Sequence, residues 1–273
     1  MFLVFLAALF LSKGVFAQDT NSQGQARTLI NLLDYVSQDY AKAVSDGHVI
    51  NAGEYNEMID FSGETISLFD SIALKVAIGN KKEISQRLTF LHKLIKQKSN
   101  KEVIAENAQQ IKKMIMLLHL IQVSPAQYPD IADGRKLFRA NCQSCHGKAG
   151  EGDGPLAVSF TPRPVNFLSD SLMQFVSPLQ VFNTTRIGVR GTGMPAFDKL
   201  SDKEIWEISF YIKSLKFENK FSEKSDSLEK IYEKIQRDNP LSDVAHLSDI
   251  ELGKRFSAHE REKNLAALRL HQP

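Results

Sequence analysis

The sequence predicts an all-α protein that consists of an N-terminal antiparallel helical bundle, a second helical domain and a charged helical tail. Three observations predict this architecture. Apolar residues recur at spacings of three and four in four segments of residues 24–123, which is the period of an amphipathic helix. Two further helical patterns flank a stretch rich in Gly and Pro, residues 147–164. The final segment, residues 218–273, carries apolar stripes among Lys and Glu residues.

Length and composition bound the protein class. A chain of 273 residues is long enough for two small domains, each with its own core. Its 42% apolar and 24% charged residues are ordinary for a globular protein. The net charge of +2 is close to neutral and no block of Lys or Arg occurs, so no nucleic-acid partner is expected.

Residues 1–17 have the features of a signal peptide. Residues 2–11 form a short apolar run, and Val15-Phe16-Ala17 fits a cleavage site with small residues. This run is shorter than the roughly 20 apolar residues that span a bilayer. No positive residue precedes the run, and Lys13 follows it, so an uncleaved leader is the alternative. We expect export, to the periplasm in a bacterium, with membrane contact only through a partner or an uncleaved leader.

The bundle, residues 24–123, is predicted from four apolar stripes joined by short loops. Asp46-Gly47 is a turn dipeptide between the first two helices. The stripes are Leu29, Leu32, Leu33, Val36 and Tyr40; Tyr55, Met58, Ile59, Ile66, Phe69, Ile72 and Val76; Ile84, Leu88, Leu91 and Ile95; and Ile104, Ala108, Ile111, Ile115, Leu118 and Ile121. Each helix should therefore bury one face in a shared core.

A speculative iron site lies in the bundle. Glu54 and Glu57 are one turn apart near the start of the second helix, and carboxylate oxygens can hold a hard cation. A solvated acidic face explains the same residues, and it is favoured because exposed carboxylates are common.

The two cysteines of the chain lie in one run, Cys142-Gln143-Ser144-Cys145-His146. The pattern Cys-x-x-Cys-His is typical of c-type haem attachment. Both thiols lie on one helical turn, where each can add to a haem vinyl group, and His146 can then bind the iron. A thioredoxin-type redox pair would need a nearby βαβ pattern, and a zinc site would need a second ligand pair. The sequence offers neither, so it predicts one covalently bound haem c.

The second axial ligand is predicted to be Met194. It lies in the run Gly191-Thr192-Gly193-Met194-Pro195, where glycines let the loop approach the haem closely and Pro195 fixes the backbone. A His/Met pair raises the reduction potential and suits electron transfer. Met173 has no such loop, and we expect it to pack in the core.

Further residues are expected around the haem. A ligating histidine normally donates its second ring N–H to a carbonyl, and the carbonyl of Pro162 or Pro164 is the candidate. Arginine matches carboxylate geometry, so three arginines are candidates for contacts with the haem propionates, although surface solvation explains them equally well. These are Arg163, Arg186 and Arg190.

Two helices should frame the haem. The first contains Gly134 and Phe138 on one face and runs into Cys142. A glycine at that position would let a second helix cross closely. The partner is predicted after Ser201, which forms a capping-box pattern with Glu204.

The segment from Asp133 to Leu215 resembles class I cytochromes c. The matching features are Gly134…Phe138, Cys142-x-x-Cys145-His146, Gly152-Asp153-Gly154-Pro155, Gly193-Met194-Pro195 and Tyr211-Ile212. The resemblance implies a small all-helical fold around one covalent haem with His146 and Met194 as axial ligands. The second domain, residues 129–217, is then a class I cytochrome c domain.

A wider likeness covers most of the chain, which resembles the periplasmic front half of bacterial high-affinity iron permeases. The motifs that carry it are Leu33-Asp34-Tyr35, Asp39-Tyr40, Val44-x-Asp46-Gly47, Glu54-Tyr55-x-Glu57-Met58 and Pro162-x-Pro164-x-Asn166-Phe167. In that family a membrane domain with Arg-Glu-x-x-Glu motifs follows. These 273 residues contain no counterpart, and we expect any transport to need a separate permease.

The sequence therefore predicts a periplasmic monohaem c-type cytochrome that transfers single electrons and is not itself an enzyme. Its expected partner is a redox protein, either an iron permease or a membrane respiratory complex. In the first case it serves high-affinity iron uptake. In the alternative it is a general respiratory shuttle to a terminal oxidase, with the bundle as a docking module. A haem enzyme such as a peroxidase would need an open axial position, which Met194 would fill.

Overall fold

The computed structural model describes residues 20–189, 191–221 and 225–270. The predicted signal peptide, residues 1–17, and Arg190 lie outside them. The helices are α1 (Thr20–Ala43), α2 (Ala52–Lys75), α3 (Lys81–Lys96), α4 (Lys101–Met116), α5 (Ile131–Asn141), α6 (Gln143–His146), α7 (Asp170–Met173), α8 (Pro178–Ile187), α9 (Asp202–Phe221), α10 (Ser225–Ile235), α11 (Leu241–His246), α12 (Asp249–Gly253) and α13 (Arg261–Leu270). Strands β1 (Val44–Ser45) and β2 (His48–Val49) form a small hairpin, and 3-10 turns cover Ala157–Ser159 and Gln236–Asp238. The all-α prediction is confirmed.

Helices α1 to α4 form the predicted four-helix bundle. Helix α1 packs against α2 and α4, and α3 packs against both α2 and α4. The predicted stripes face a common core in which Leu33, Phe69 and Ile111 are fully buried. Local sequence sets the helix starts: the Asn51 side chain accepts hydrogen bonds from the first backbone amides of α2, which is the role of an N-cap.

A buried ion pair ties the first and last helices of the bundle together. Lys112 Nζ lies 2.7 Å from Asp34 Oδ1 and 2.9 Å from Oδ2. Both side chains are almost fully buried. Because each charge compensates the other inside the core, loss of either one would leave an unpaired buried charge.

Helices α5 and α9 cross closely, as predicted from Gly134. A Cβ atom at Gly134 would lie 2.1 Å from the Glu207 carbonyl oxygen and 2.9 Å from Tyr211 Cβ. Only a glycine therefore allows this crossing distance. The predicted capping box at the start of α9 is present: Ser201 N donates to Glu204 Oε2, and Glu204 N donates to Ser201 Oγ.

The helical tail packs onto the second domain. Helices α10 and α13 contact each other, and α13 also contacts α9. Apolar side chains of the tail share a core with α8 and α9, and they include Leu228, Tyr232, Val244, Leu252 and Leu268. The charged tail is therefore an integral layer of the fold.

A buried charge cluster holds this layer in place. Asp249 accepts contacts from three cations: Lys213 Nζ and Lys216 Nζ each lie 3.0 Å from its Oδ2, and Arg269 Nη2 lies 2.9 Å from its Oδ1. The Asp249 side chain is only 2% exposed. Burial alone would raise the pKa of Asp249, but the charges of the three cations outweigh it and lower that pKa.

The bundle and the second domain meet along α1 and α8. The Gln38 and Gln180 side-chain amides exchange hydrogen bonds of 2.9 and 3.2 Å across this contact. Helix α8 begins at a local capping signal: the Ser177 Oγ accepts a hydrogen bond from the amide of Gln180, and Pro178 occupies the first helical position. Within residues 20–189, 191–221 and 225–270, none of the helices is both long enough and apolar enough to cross a membrane.

Candidate functional site

The two cysteines lie where α5 gives way to the short α6. Cys142 N donates to the Phe138 carbonyl, and the Cys142 carbonyl accepts the amides of Cys145 and His146. Both thiols are free rather than joined in a disulfide. Burial, and to a smaller extent the nearby Cys145, raise the pKa of the Cys142 thiol to about 12. A redox-active thiol needs an easily formed thiolate, so the environment of Cys142 does not favour a thioredoxin-type pair.

The His146 ring is fixed on both its edge and its face. Its Nδ1 lies 3.2 Å from the Val165 carbonyl oxygen, which can only accept, so Nδ1 carries the proton and donates it. The Phe167 ring stacks on the imidazole, with centroids 4.5 Å apart and planes 18° apart. Burial lowers the pKa of His146. A neutral imidazole protonated at Nδ1 leaves Nε2 as the atom that can bind a metal.

The expectation that Pro162 or Pro164 provides this carbonyl was wrong. The Pro164 carbonyl oxygen lies against Gly152: a Cβ atom added to Gly152 would be only 2.4 Å from that oxygen. The carbonyl that accepts the hydrogen bond from the imidazole is the next one along the chain, that of Val165. Gly152 N in turn donates to the His146 carbonyl at 2.8 Å, so the same loop closes around the histidine from both sides.

Glycines allow the loop after His146 to fold tightly over α6. Gly147 has φ of +80°, and a Cβ there would collide with Asp153 Oδ1 at 1.8 Å. Gly154 lies against the helix, where a Cβ would be 2.5 Å from the Ser144 carbonyl oxygen. Larger residues at these positions would push the loop away from the Cys-x-x-Cys-His turn.

Met194 lies in a short closed turn. Val189 N donates to the Met194 carbonyl at 3.1 Å, and Met194 N donates to Thr192 Oγ1 at 3.2 Å. Gly193 packs against the Phe160 ring, which occupies the space that a Cβ would need. Phe160 belongs to the loop that follows His146, so the two loops that carry the predicted axial ligands are in contact.

Comparison with known families identifies both parts of the chain. A family model described as an iron permease-associated 4-helix bundle domain matches residues 17–120. A second model, described as cytochrome c, matches residues 131–216. The chain joins an iron permease-associated bundle to a cytochrome c domain. The class I cytochrome c resemblance and the helical domain before it are thereby confirmed.

No curated protein matches the chain. Among solved structures, a chain of the Kuenenia stuttgartiensis reducing HAO-like protein complex matches with 27% identity and a TM-score of 0.32. The match covers 41% of this chain and 60% of the other. The chain thus spans less than two thirds of the structure that it matches.

The cofactor of the cytochrome c domain is covalently attached haem c. The residues present fit it: two thiols that are not joined in a disulfide lie on one turn, next to an imidazole whose Nε2 can bind a metal. Large apolar side chains of the following loop are exposed, namely those of Leu156, Val158 and Val165. Apolar surface of this kind is what the face of a porphyrin would cover.

Of the three arginines considered for propionate binding, Arg186 has a different role. Its guanidinium donates to the carbonyls of Phe197 and Leu200 and to Asp202, so its donors are engaged within the protein. Arg163 is exposed, and its contact with a propionate stays a prediction. Arg190 lies outside the described residues.

The bundle does not gather ligands around the two candidate glutamates. Glu54 lies in the first turn of α2, where its amide is capped by Asn51, and Glu57 is exposed. No group of three or more His, Cys, Asp or Glu side chains able to hold a metal ion occurs in the described part of the chain. Among the described residues, the speculative iron site at Glu54 and Glu57 is therefore not completed by a third His, Cys, Asp or Glu ligand.

Sequence reasoning missed two contributors to the site. These are the Val165 carbonyl and the Phe167 ring. The sequence does contain one indication that Phe167 matters, because this residue belongs to the Pro162-x-Pro164-x-Asn166-Phe167 motif. Only the packing of the loop reveals the role of the Val165 carbonyl.

Proposed function

We propose that this protein is an extracytoplasmic monohaem cytochrome c that carries single electrons as an accessory to iron uptake through a separate permease. Its cytochrome c domain supports the redox role. The iron permease-associated bundle in the same chain supports the link to iron. The observation that carries the proposal is the His146 imidazole, whose Nδ1 is held by the Val165 carbonyl next to two free thiols.

In this proposal the His146 imidazole and the Met194 thioether would hold the haem iron. The Val165 carbonyl and the Phe167 ring orient the imidazole, and the hydrogen bond from Val189 N to the Met194 carbonyl holds the backbone that carries the thioether. The bound haem supplies a one-electron couple whose potential a His/Met ligand pair raises. With both groups bound, the iron would have no open position for oxygen or peroxide, which would favour electron transfer.

The ligand set is tested by spectroscopy on the haem-loaded protein. Wild type should show the far-red methionine–iron band when oxidised and should be reduced reversibly by one electron. Met194→Ala should abolish that band and lower the potential, whereas the matched bundle variant Met114→Ala should leave both unchanged. A Met194→Ala protein with an unaltered spectrum would mean that another residue binds the iron.

The link to iron is tested in cells. Deletion of the gene from its host should slow iron uptake under iron limitation and leave respiration intact. A respiratory defect with normal iron uptake would instead support the general shuttle, with the bundle as its docking module. Complementation by a Cys142→Ala, Cys145→Ala variant is the control, because it keeps the bundle and removes haem attachment.

A further inference from the structure

Helix α1 of the bundle sends one arginine into the cytochrome c domain. The Arg27 side chain is 9% exposed, and its guanidinium lies 4.7 Å from the centroid of the Phe182 ring. Its Nη1 donates to Asn183 Oδ1 at 3.4 Å, and its Nη2 lies 3.6 Å from Asp202 Oδ2. A buried cation on an aromatic face is a substantial attraction, so this contact fixes the bundle against α8 and the start of α9.

Asp202 contacts both Arg27 and Arg186. The Arg186 Nη2 atom donates to Asp202 Oδ1 at 2.6 Å, on the carboxylate that also faces Arg27. Arg186 also lies over Phe182, at 5.9 Å from the ring centroid. The carboxylate therefore stands between two like charges, one from each domain, and compensates both.

Arg186 holds the chain that follows Met194. Its Nη1 donates to the carbonyl oxygens of Phe197 at 3.2 Å and Leu200 at 2.8 Å. Gly191 and Gly193 give the segment before these carbonyls wide conformational freedom. A planar guanidinium with several donors in a fixed arrangement is suited to pin two carbonyls at once.

We propose that Arg27, Asp202 and Arg186 are positioning residues through which the helical bundle holds the Met194 loop in place and so controls how firmly the thioether binds the haem iron. This inference rests on the proposed axial role of Met194. It gives the bundle a direct effect on the haem site: removal of its arginine should loosen a ligand in the other domain. None of the three residues is itself an iron ligand.

The test is competition by imidazole for the ferric iron of the full-length, haem-loaded protein. Arg27→Met keeps an apolar stem over Phe182 but removes the charge. Because a looser thioether is displaced more easily, imidazole should bind about tenfold more tightly, which corresponds to about 1.4 kcal/mol. The far-red band should weaken, and the amides of Val189 and Phe197 should exchange hydrogen faster. The matched control is Arg87→Met, whose arginine forms an exposed pair with Glu83 in the bundle and should leave all three readouts unchanged.

A second variant keeps the test valid if Arg27→Met does not fold. Arg27→Lys keeps a cation near Asp202 and should fall between wild type and Arg27→Met. Wild-type imidazole affinity in folded Arg27→Met, or in Arg27→Lys if the first variant does not fold, would overturn the proposal. Met194→Ala separates the two claims. If it leaves the band intact, the axial assignment fails; if it removes the band while the Arg27 variants bind imidazole as wild type does, only the positioning role fails.

Discussion

Replacement of Asp249 by Asn should destabilise the protein strongly. The change keeps the size of the side chain but leaves Lys213, Lys216 and Arg269 without their shared counter-charge. The Lys213 and Arg269 side chains are 1% and 0% exposed, so water cannot replace the carboxylate. Removal of one partner of a buried ion pair costs about 3–5 kcal/mol. For chains of this order that lowers Tm by about 2–4 °C per kcal/mol, or about 6–20 °C in total.

The assay is thermal unfolding of haem-loaded protein, followed by far-ultraviolet circular dichroism and calorimetry. The matched control is Asp170→Asn, because Asp170 also pairs with Lys216, at 3.4 Å, but is 82% exposed. Exposed pairs contribute little, so Tm of this variant should stay close to wild type. Equal melting of Asp249→Asn and Asp170→Asn would refute the claim that the cluster holds the tail on α9.

The same cluster predicts a pH dependence. The pKa of Asp249 is lowered in the folded protein relative to about 3.9 in an unfolded chain. A lowered folded pKa means that the carboxylate stabilises the protein fully above the unfolded pKa and loses this effect as pH falls towards the folded pKa. The difference in Tm between wild type and Asp249→Asn should therefore shrink steadily below about pH 4. A difference that stays constant down to pH 2 would contradict the lowered pKa.

Two other positions give direct tests of the packing. Gly134→Ala should force α5 and α9 apart, because its Cβ would lie 2.1 Å from a carbonyl oxygen of α9. The yield of haem-loaded protein should then fall well below that of the control Gly24→Ala, whose Cβ meets nothing within 4 Å. Equal yields of the two variants would argue against the close crossing. Asp34→Asn should leave Lys112 as an unpaired buried cation. The free energy of unfolding, measured in urea, should fall by about 3–5 kcal/mol. A loss no larger than that of Glu83→Gln, which removes an exposed ion pair, would show that the bundle tolerates an unpaired Lys112.

Features that depend on neighbouring residues could be predicted from the sequence. The capping box at Ser201 and the N-cap at Ser177 each follow from a short pattern whose geometry is local. The Cys-x-x-Cys-His run likewise dictates its own helical turn. Helical periodicity was enough to predict the bundle, because the apolar face of each helix can be buried against the apolar faces of the other helices.

Features that depend on distant parts of the chain could not be predicted in this way. The carbonyl that faces His146 is that of Val165, while the Pro164 carbonyl lies against Gly152, and this depends on how the loop packs against a distant part of the chain. Arg186 has the chemistry of a propionate ligand, yet its neighbours in space are Phe197, Leu200 and Asp202. A guanidinium binds any well-placed oxygen, so its sequence position does not reveal which oxygen it meets.

Covalent haem at the Cys142–His146 turn is the central claim, and mass spectrometry tests it most directly. The protein should be expressed from residue 1 in a host that exports and matures c-type cytochromes, then purified, denatured and digested. We predict that the peptide containing Cys142 and Cys145 carries the mass of one haem and that neither thiol reacts with an alkylating reagent. A colourless protein in which both thiols are alkylated and no haem mass is found would contradict the account.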